Sequence, residues 1–119
     1  MLTVVVDRAK WLRGEGSNTS YLLRQADGKM CCLGFVCVTA GMTPEQISGL
    51  TAPSSLVSVR RPIPPAVKRL LDHNTFFTVN SAITVSMMIT NDAKDMSDAE
   101  REAQLQASGL EVGIQFTFV

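Results

Sequence analysis

The chain has 119 residues, 45% hydrophobic and 18% charged, with 11 basic side chains balanced by 11 acidic ones. That length suits one domain around one core, so residues 1–119 are expected to fold together. The balanced charge supplies no global field to draw nucleic acid, and the longest uncharged apolar stretch, Met30 to Met42, falls short of the about 20 residues that span a bilayer.

Leu2 to Val6 is a β-branched run and predicts a strand. Asp7 then caps a short helical turn leading to Trp11. The charges at Asp7, Arg8 and Lys10 interrupt the apolar start too early for a signal peptide. Gly14 to Asn18 is rich in turn formers and reads as a loop. Tyr21-Leu22-Leu23 reads as a second strand, followed by a turn at Ala26 to Lys29 in which Gly28 takes the positive-φ position.

From Cys31 to Ala40 apolar residues recur on every side, which predicts a buried helix. Gly34 inside it costs about 1 kcal/mol relative to alanine and implies close approach of a neighbour. Gly41 ends the helix in a left-handed cap. Thr43 and Pro44 open another short helix, as N-cap and first helical residue. Gly49 to Pro62 reads as an ordered loop, and Pro64 to Leu71 as a helix with Val67, Leu70 and Leu71 on one face, ended by His73-Asn74.

Thr78 to Thr90 supports two readings. Ile83, Val85, Met87 and Ile89 alternate in period 2 and favour a strand, while Asn80 or Ser81 can cap a helix using Ile83, Met87 and Met88. Asn91-Asp92 ends either one. Ser97-Asp98-Ala99-Glu100 forms a capping box for a helix to about Ser108, with Gly109 as its stop. Leu110, Val112, Ile114, Phe116 and Phe118 then alternate as a strand with one apolar face. The expected fold is α+β: a small antiparallel sheet from the N- and C-terminal segments, on the buried cysteine-bearing helix and two or three further helices.

Cys31, Cys32 and Cys37 are the three cysteines. An odd number in one segment is a poor disulfide framework. Adjacent Cys31 and Cys32 have Cα atoms about 3.8 Å apart, against the roughly 5.5 Å a disulfide prefers. Reduced thiols in a bacterial cytoplasm are expected. With His73 the single histidine, no metal site and no cofactor is expected.

Each chemically suggestive feature has two readings. Cys31 or Cys32 at a helix N-terminus can have a lowered pKa, with His73 as base and Asn91 or Asp92 as orienting group. The competing reading makes the cysteines small buried hydrophobes. Asn91-Asp92 is either a polar pair in a cleft or a turn that holds the loop to Ser97. Trp11 with Arg13, and the Arg60-Arg61 pair, are candidate interface anchors; a core tryptophan and a solvated loop are the alternatives. Met87-Met88 fits an adaptable surface or core filling.

Several of these residues together resemble a family of small phage and prophage proteins. The likeness rests on Trp11, Gly14 and Gly16, on Leu22-Leu23-Arg24, and on Gly28-Lys29-Met30-Cys31-Cys32-Leu33-Gly34-Phe35. Ile63-Pro64 with Val67, and Asn91-Asp92, complete it. It runs from Trp11 to about Leu105; Ile63 stands where many relatives carry leucine, and the C-terminal strand is longer than in many. The resemblance implies a phage-associated origin and a shared fold, not a mechanism.

The expected function is therefore a phage accessory protein that binds and inhibits a host protein, as a counter-defence (anti-CRISPR-like) inhibitor, with Arg13, Arg60, Arg61, Asn91 and Asp92 as binding residues. One alternative is a cysteine-dependent hydrolase or transferase using Cys31, Cys32 and His73. Another is a module that sequesters a nucleotide signal through Arg60, Arg61 and Asn91-Asp92. Nucleic acid and membrane are not expected as partners; oligomeric state is open, since the C-terminal strand could be a sheet edge that pairs across a homodimer.

Overall fold

The computed structural model describes residues 1–16, 20–73 and 78–119. Strand β1 (Leu2–Val6) buries Val4 and Val6 and exposes Thr3 and Val5, as a half-buried strand must. It pairs with the C-terminal strand β4 (Ile114–Phe118), which buries Ile114 and Phe116. The fold is α+β, but this pairing is parallel, Leu2 opposite Ile114 and Val6 opposite Phe118, not the antiparallel sheet expected. No hairpin joins strands at opposite ends of a chain, so their relative direction is set elsewhere. The long helix α6 (Asp98–Glu111) ends at Val112, and Gly113 at φ 75° turns β4 back along it. Gly109, expected to stop α6, lies inside it: an added Cβ would sit 2.8 Å from the Ile114 carbonyl oxygen and 2.9 Å from the Phe116 ring. Leu110 and Val112, expected in the strand, belong to the end of α6 instead.

Helix α1 (Cys32–Thr39) is the buried post that the sequence predicts, with Cys32 through Cys37 all buried. Its end is a Schellman motif: Gly41 N–H donates to Val38 O, Met42 N–H to Cys37 O, and Gly41 takes φ 103°. Met42 itself is buried in the core cluster that also holds Cys37. Gly34 meets the Leu22 backbone so closely that an added Cβ would collide with the Leu22 carbonyl oxygen. That crossing explains why Tyr21 to Leu23 is not the expected strand. Its backbone groups bond to separate segments, Tyr21 O accepting from Cys31 N–H and Leu22 N–H donating to Leu50 O, and only an isolated bridge joins Leu23 to Ser48.

Helix α2 (Pro44–Ile47) starts as expected, with the Gln46 side chain accepting from the Thr43 N–H at 2.9 Å. The expected loop after Gly49 contains helix α3 (Pro53–Ser58), with Pro53 at its first turn and Leu56 buried. Helix α4 (Pro65–Lys68) is shorter than expected: Leu71 leaves it for strand β2 (Leu71–His73), so His73 lies in a strand rather than at a helix end. Strand β3 (Thr78–Asn80) pairs antiparallel with β2, and Asn74 lies outside the described residues.

Between Ala82 and Asp92 the chain takes the helical one of its two readings, as α5 capped by Ser81, rather than the strand that the alternation favours. Its buried residues are Thr84, Met87, Thr90 and Asn91, a helical spacing. This face is mostly polar, and of the alternating Ile83, Val85, Met87 and Ile89, Met87 alone is fully buried on it. Thr84 is accommodated by donating its hydroxyl to Leu70 O at 2.7 Å. One core cluster joins β1, β4, α1 and residues from every later helix. Among the described residues no helix is long and apolar enough to cross a membrane.

Candidate functional site

The segments singled out in the sequence meet at Asn91. This side chain is fully buried at the end of α5. Its Oδ1 accepts from Trp11 Nε1 at 2.9 Å and from the Cys32 backbone N–H at 3.1 Å. Its Nδ2 donates to Leu12 O and Asp92 Oδ1, each at 3.0 Å. Its backbone oxygen accepts from Gly14 N–H at 2.9 Å, and Asp92 O accepts from Gly16 N–H at 2.8 Å. The amide thus closes the N-terminus of α1, where Cys31 makes no side-chain cap. It also fixes Trp11, whose ring lies 4.9 Å from that of Phe118.

Arg101, which the sequence reading did not single out, completes the joint from α6. It is 2% exposed. Its guanidinium donates to four carbonyls at the end of α5 and beyond: Thr90, Asn91 and Ala93 through Nη1, and Met96 through Nη2. A cation on orphan carbonyls at a helix C-terminus is favourable both as hydrogen bonding and against the helix dipole. No local signal could have found it, because the carbonyls it serves lie in another helix.

Arg13 is also committed. It stacks over the Trp11 ring at 4.5 Å and forms a two-pronged pair with Asp98, at 3.1 and 2.9 Å. The three thiols are free and buried. Burial pushes the Cys31 thiol up and the Cys32 thiol well up, and raises Cys37 to about 12. At α1 desolvation therefore outweighs any lowering by the helix N-terminus. His73 is exposed on β2, its Nδ1 3.4 Å from Thr78 Oγ1. Among the described residues, no hydrogen bond joins His73 to a cysteine, and no group of His, Cys, Asp and Glu could hold a metal ion. Arg60 and Arg61 are exposed after α3, with no hydrogen bond or ion pair to Asn91 or Asp92.

Asp92 is half-buried, and desolvation raises its carboxyl above the ordinary range. It stands at the junction of two open depressions. One, of about 420 Å³, is lined among the described residues by Val85, Met88, Ile89, Asp92 and Lys94, with Gly16 and Ala93. The other, of about 410 Å³, is lined by Ser20, Thr51, Met88 and Asp92. Met87 belongs to the core, and half-buried Met88 packs against that core and lines both depressions. The outer edge of β4, the candidate homodimer contact, lies along α6, where Gln106 Nε2 donates to Phe116 O at 3.4 Å. Compared with protein-family models, curated proteins and solved structures, the chain finds no match in any of the three.

Proposed function

We propose that the protein is a non-catalytic binding protein: a phage accessory factor of the bacterial cytoplasm that acts by occluding a host protein, in the manner of a counter-defence inhibitor. The observation that carries this reading is the inverted character of α5. Its buried face holds Thr84, Thr90 and Asn91 with Met87 as the one apolar member, while Val85 and Ile89 stand 43% and 67% exposed beside Met88. Branched apolar side chains turned to solvent around an open groove suit the apolar anchor of a partner protein. Lys94 and Asp92 on the rim supply charges that fix its orientation. The phage context rests on the motif resemblance.

The cysteine-enzyme alternative needs a thiolate within reach of substrate, and burial of all three thiols counts against it. The nucleotide-sequestering alternative needs the Asn91 amide, which four hydrogen bonds already occupy. The test is capture of a host protein by tagged wild type and by Ile89→Glu. A charge in the groove should weaken capture by tenfold or more, the effect of losing about 2 kcal/mol at an anchor, and abolish any effect on phage plating. Its melting temperature should match wild type. Equal capture by Ile89→Glu, or no host protein captured by wild type, overturns the reading.

A further inference from the structure

Between Glu45 and Asp72 the chain contains no acidic residue, yet it carries Arg60, Arg61, Lys68 and Arg69. All four are exposed, around the ends of α3 and α4. Among the described residues none of them has an ion pair, whereas Arg8, Arg13, Arg24 and Arg101 are all paired. A chain of zero net charge has thus separated its charges, leaving one stretch purely basic.

Arg60 adds an independent observation. Helix α3 ends in the same Schellman geometry as α1: Arg60 N–H donates to Val57 O and Arg61 N–H to Leu56 O. The position that Gly41 fills after α1 is filled here by Arg60, at φ 57°. Glycine occupies the other left-handed positions among the described residues: 14, 16, 28, 41, 49 and 113. Among the described residues, only at position 60 does an L side chain bear the steric strain of that conformation. Strain kept where glycine would relieve it points to a side chain with work outside the fold.

We infer that Arg60 and Arg61, on the turn after α3, form a second contact surface, and that it takes a carboxylate-rich protein surface. The stretch between Glu45 and Asp72 has no aromatic residue on which a base could stack, and the chain has no net positive charge, which argues against nucleic acid. Val59, 45% exposed, and exposed Pro62 and Pro65 place apolar surface beside the arginines, a composition suited to a protein interface. The inference stands on charge distribution and backbone geometry, and does not depend on the α5 groove.

The probe is fluorescent poly-L-glutamate, with duplex DNA of equal charge as the competing polyanion, titrated against the full chain at low and physiological salt. Poly-L-glutamate should bind more tightly than the DNA. Arg60→Gly should weaken that binding by about tenfold, as loss of one charge-assisted contact does, without lowering the melting temperature. Relief of left-handed strain offsets the extra freedom that glycine gives the unfolded chain. Lys10→Ala, which removes an exposed cation from another part of the chain, should leave affinity within twofold. Unchanged affinity in Arg60→Gly, equal loss in Lys10→Ala, tighter binding of the DNA, or no binding of either polymer would each overturn the inference.

Discussion

Replacing Asn91 tests the joint directly. Asn91→Ala removes an acceptor shared by Trp11 Nε1 and the Cys32 N–H, and a donor to Leu12 O. Trp11, Leu12 and Cys32 are each 2% exposed or less, so water does not replace the lost partners without rearrangement. Each orphaned buried group costs about 1–3 kcal/mol. Three of them, with partial relaxation into the vacated space, give a loss of about 3–5 kcal/mol. A chain of 119 residues has roughly 6–18 kcal/mol of total stability, so the variant should fold but with its urea midpoint markedly lowered. Asn91→Asp sharpens the test. It keeps an acceptor toward Trp11 and Cys32, but turns the donor into an oxygen facing Leu12 O and Asp92 Oδ1. Burial raises the pKa of the introduced carboxyl, and its protonated form can donate to Leu12 O. The variant's deficit should therefore shrink at acidic pH and grow as pH rises through the folded pKa. A loss below about 1 kcal/mol in Asn91→Ala, the value of one ordinary hydrogen bond, would refute the claim that this amide holds three segments together.

Three further outcomes follow from the same geometry. Iodoacetamide at neutral pH should label none of Cys31, Cys32 and Cys37 in the native protein and all three in denaturant; fast native labelling of Cys31 or Cys32 would restore the enzyme reading. Gly34→Ala drives a methyl group into the Leu22 carbonyl, against backbone that cannot swing aside, and should cost about 3 kcal/mol or more in chemical denaturation; a near-neutral effect would mean that the crossing is looser. Asp98 and Asp92 should respond to pH with opposite signs. Arg13, with Arg101 behind it, holds Asp98 below the usual carboxylate range, so its contribution is present above the unfolded pKa and lost as pH falls. The deficit of Asp98→Asn should thus close on acidification. Asp92 is raised by burial, so Asp92→Asn should gain stability at neutral pH and lose that gain on acidification; parallel pH profiles for the two variants would contradict this.

What the sequence made legible was set by local chemistry. The β-branched Leu2–Val6, the Gly41 cap, the Thr43-Pro44 start and the Ser97 cap each act within a few residues, and all were readable. Helix α3 was missed because serines dilute its apolar signal, although Pro53 stands in its first turn. α5 supported two readings because its buried stripe joins Met87 to threonine and asparagine, while Val85 and Ile89 face outward. The direction of β4 depends on α6 and the Gly113 turn, which no pattern within Ile114–Phe118 encodes. The site divides likewise. Trp11, Cys31-Cys32 and Asn91-Asp92 stood out individually, but the bonds joining them span 59 to 80 residues, and nothing local announces such a pairing.

The two ends of this joint explain why its reactive-looking groups are poor candidates for chemistry. An α-helix of ordinary sequence satisfies its first N–H groups with a serine, threonine or aspartate at the N-cap. Here Cys31 occupies that place without a side-chain cap bond, and Asn91 supplies the oxygen from another helix. The last carbonyls of α5 are likewise served from outside, by Arg101. The positive end of α1 receives an amide oxygen, and the negative end of α5 receives a guanidinium. Position 31 is thereby released from capping and can hold a small apolar side chain, which suits a site sealed from water. A substrate entering this joint would have to break bonds that hold α1, α5 and α6 together. Groups free of such duties lie elsewhere, on the outward face of α5 at Val85 and Ile89 and on the left-handed turn at Arg60. A partner can use either surface without disturbing the core, so substitutions there should separate binding from stability in a way that no substitution at Asn91 can.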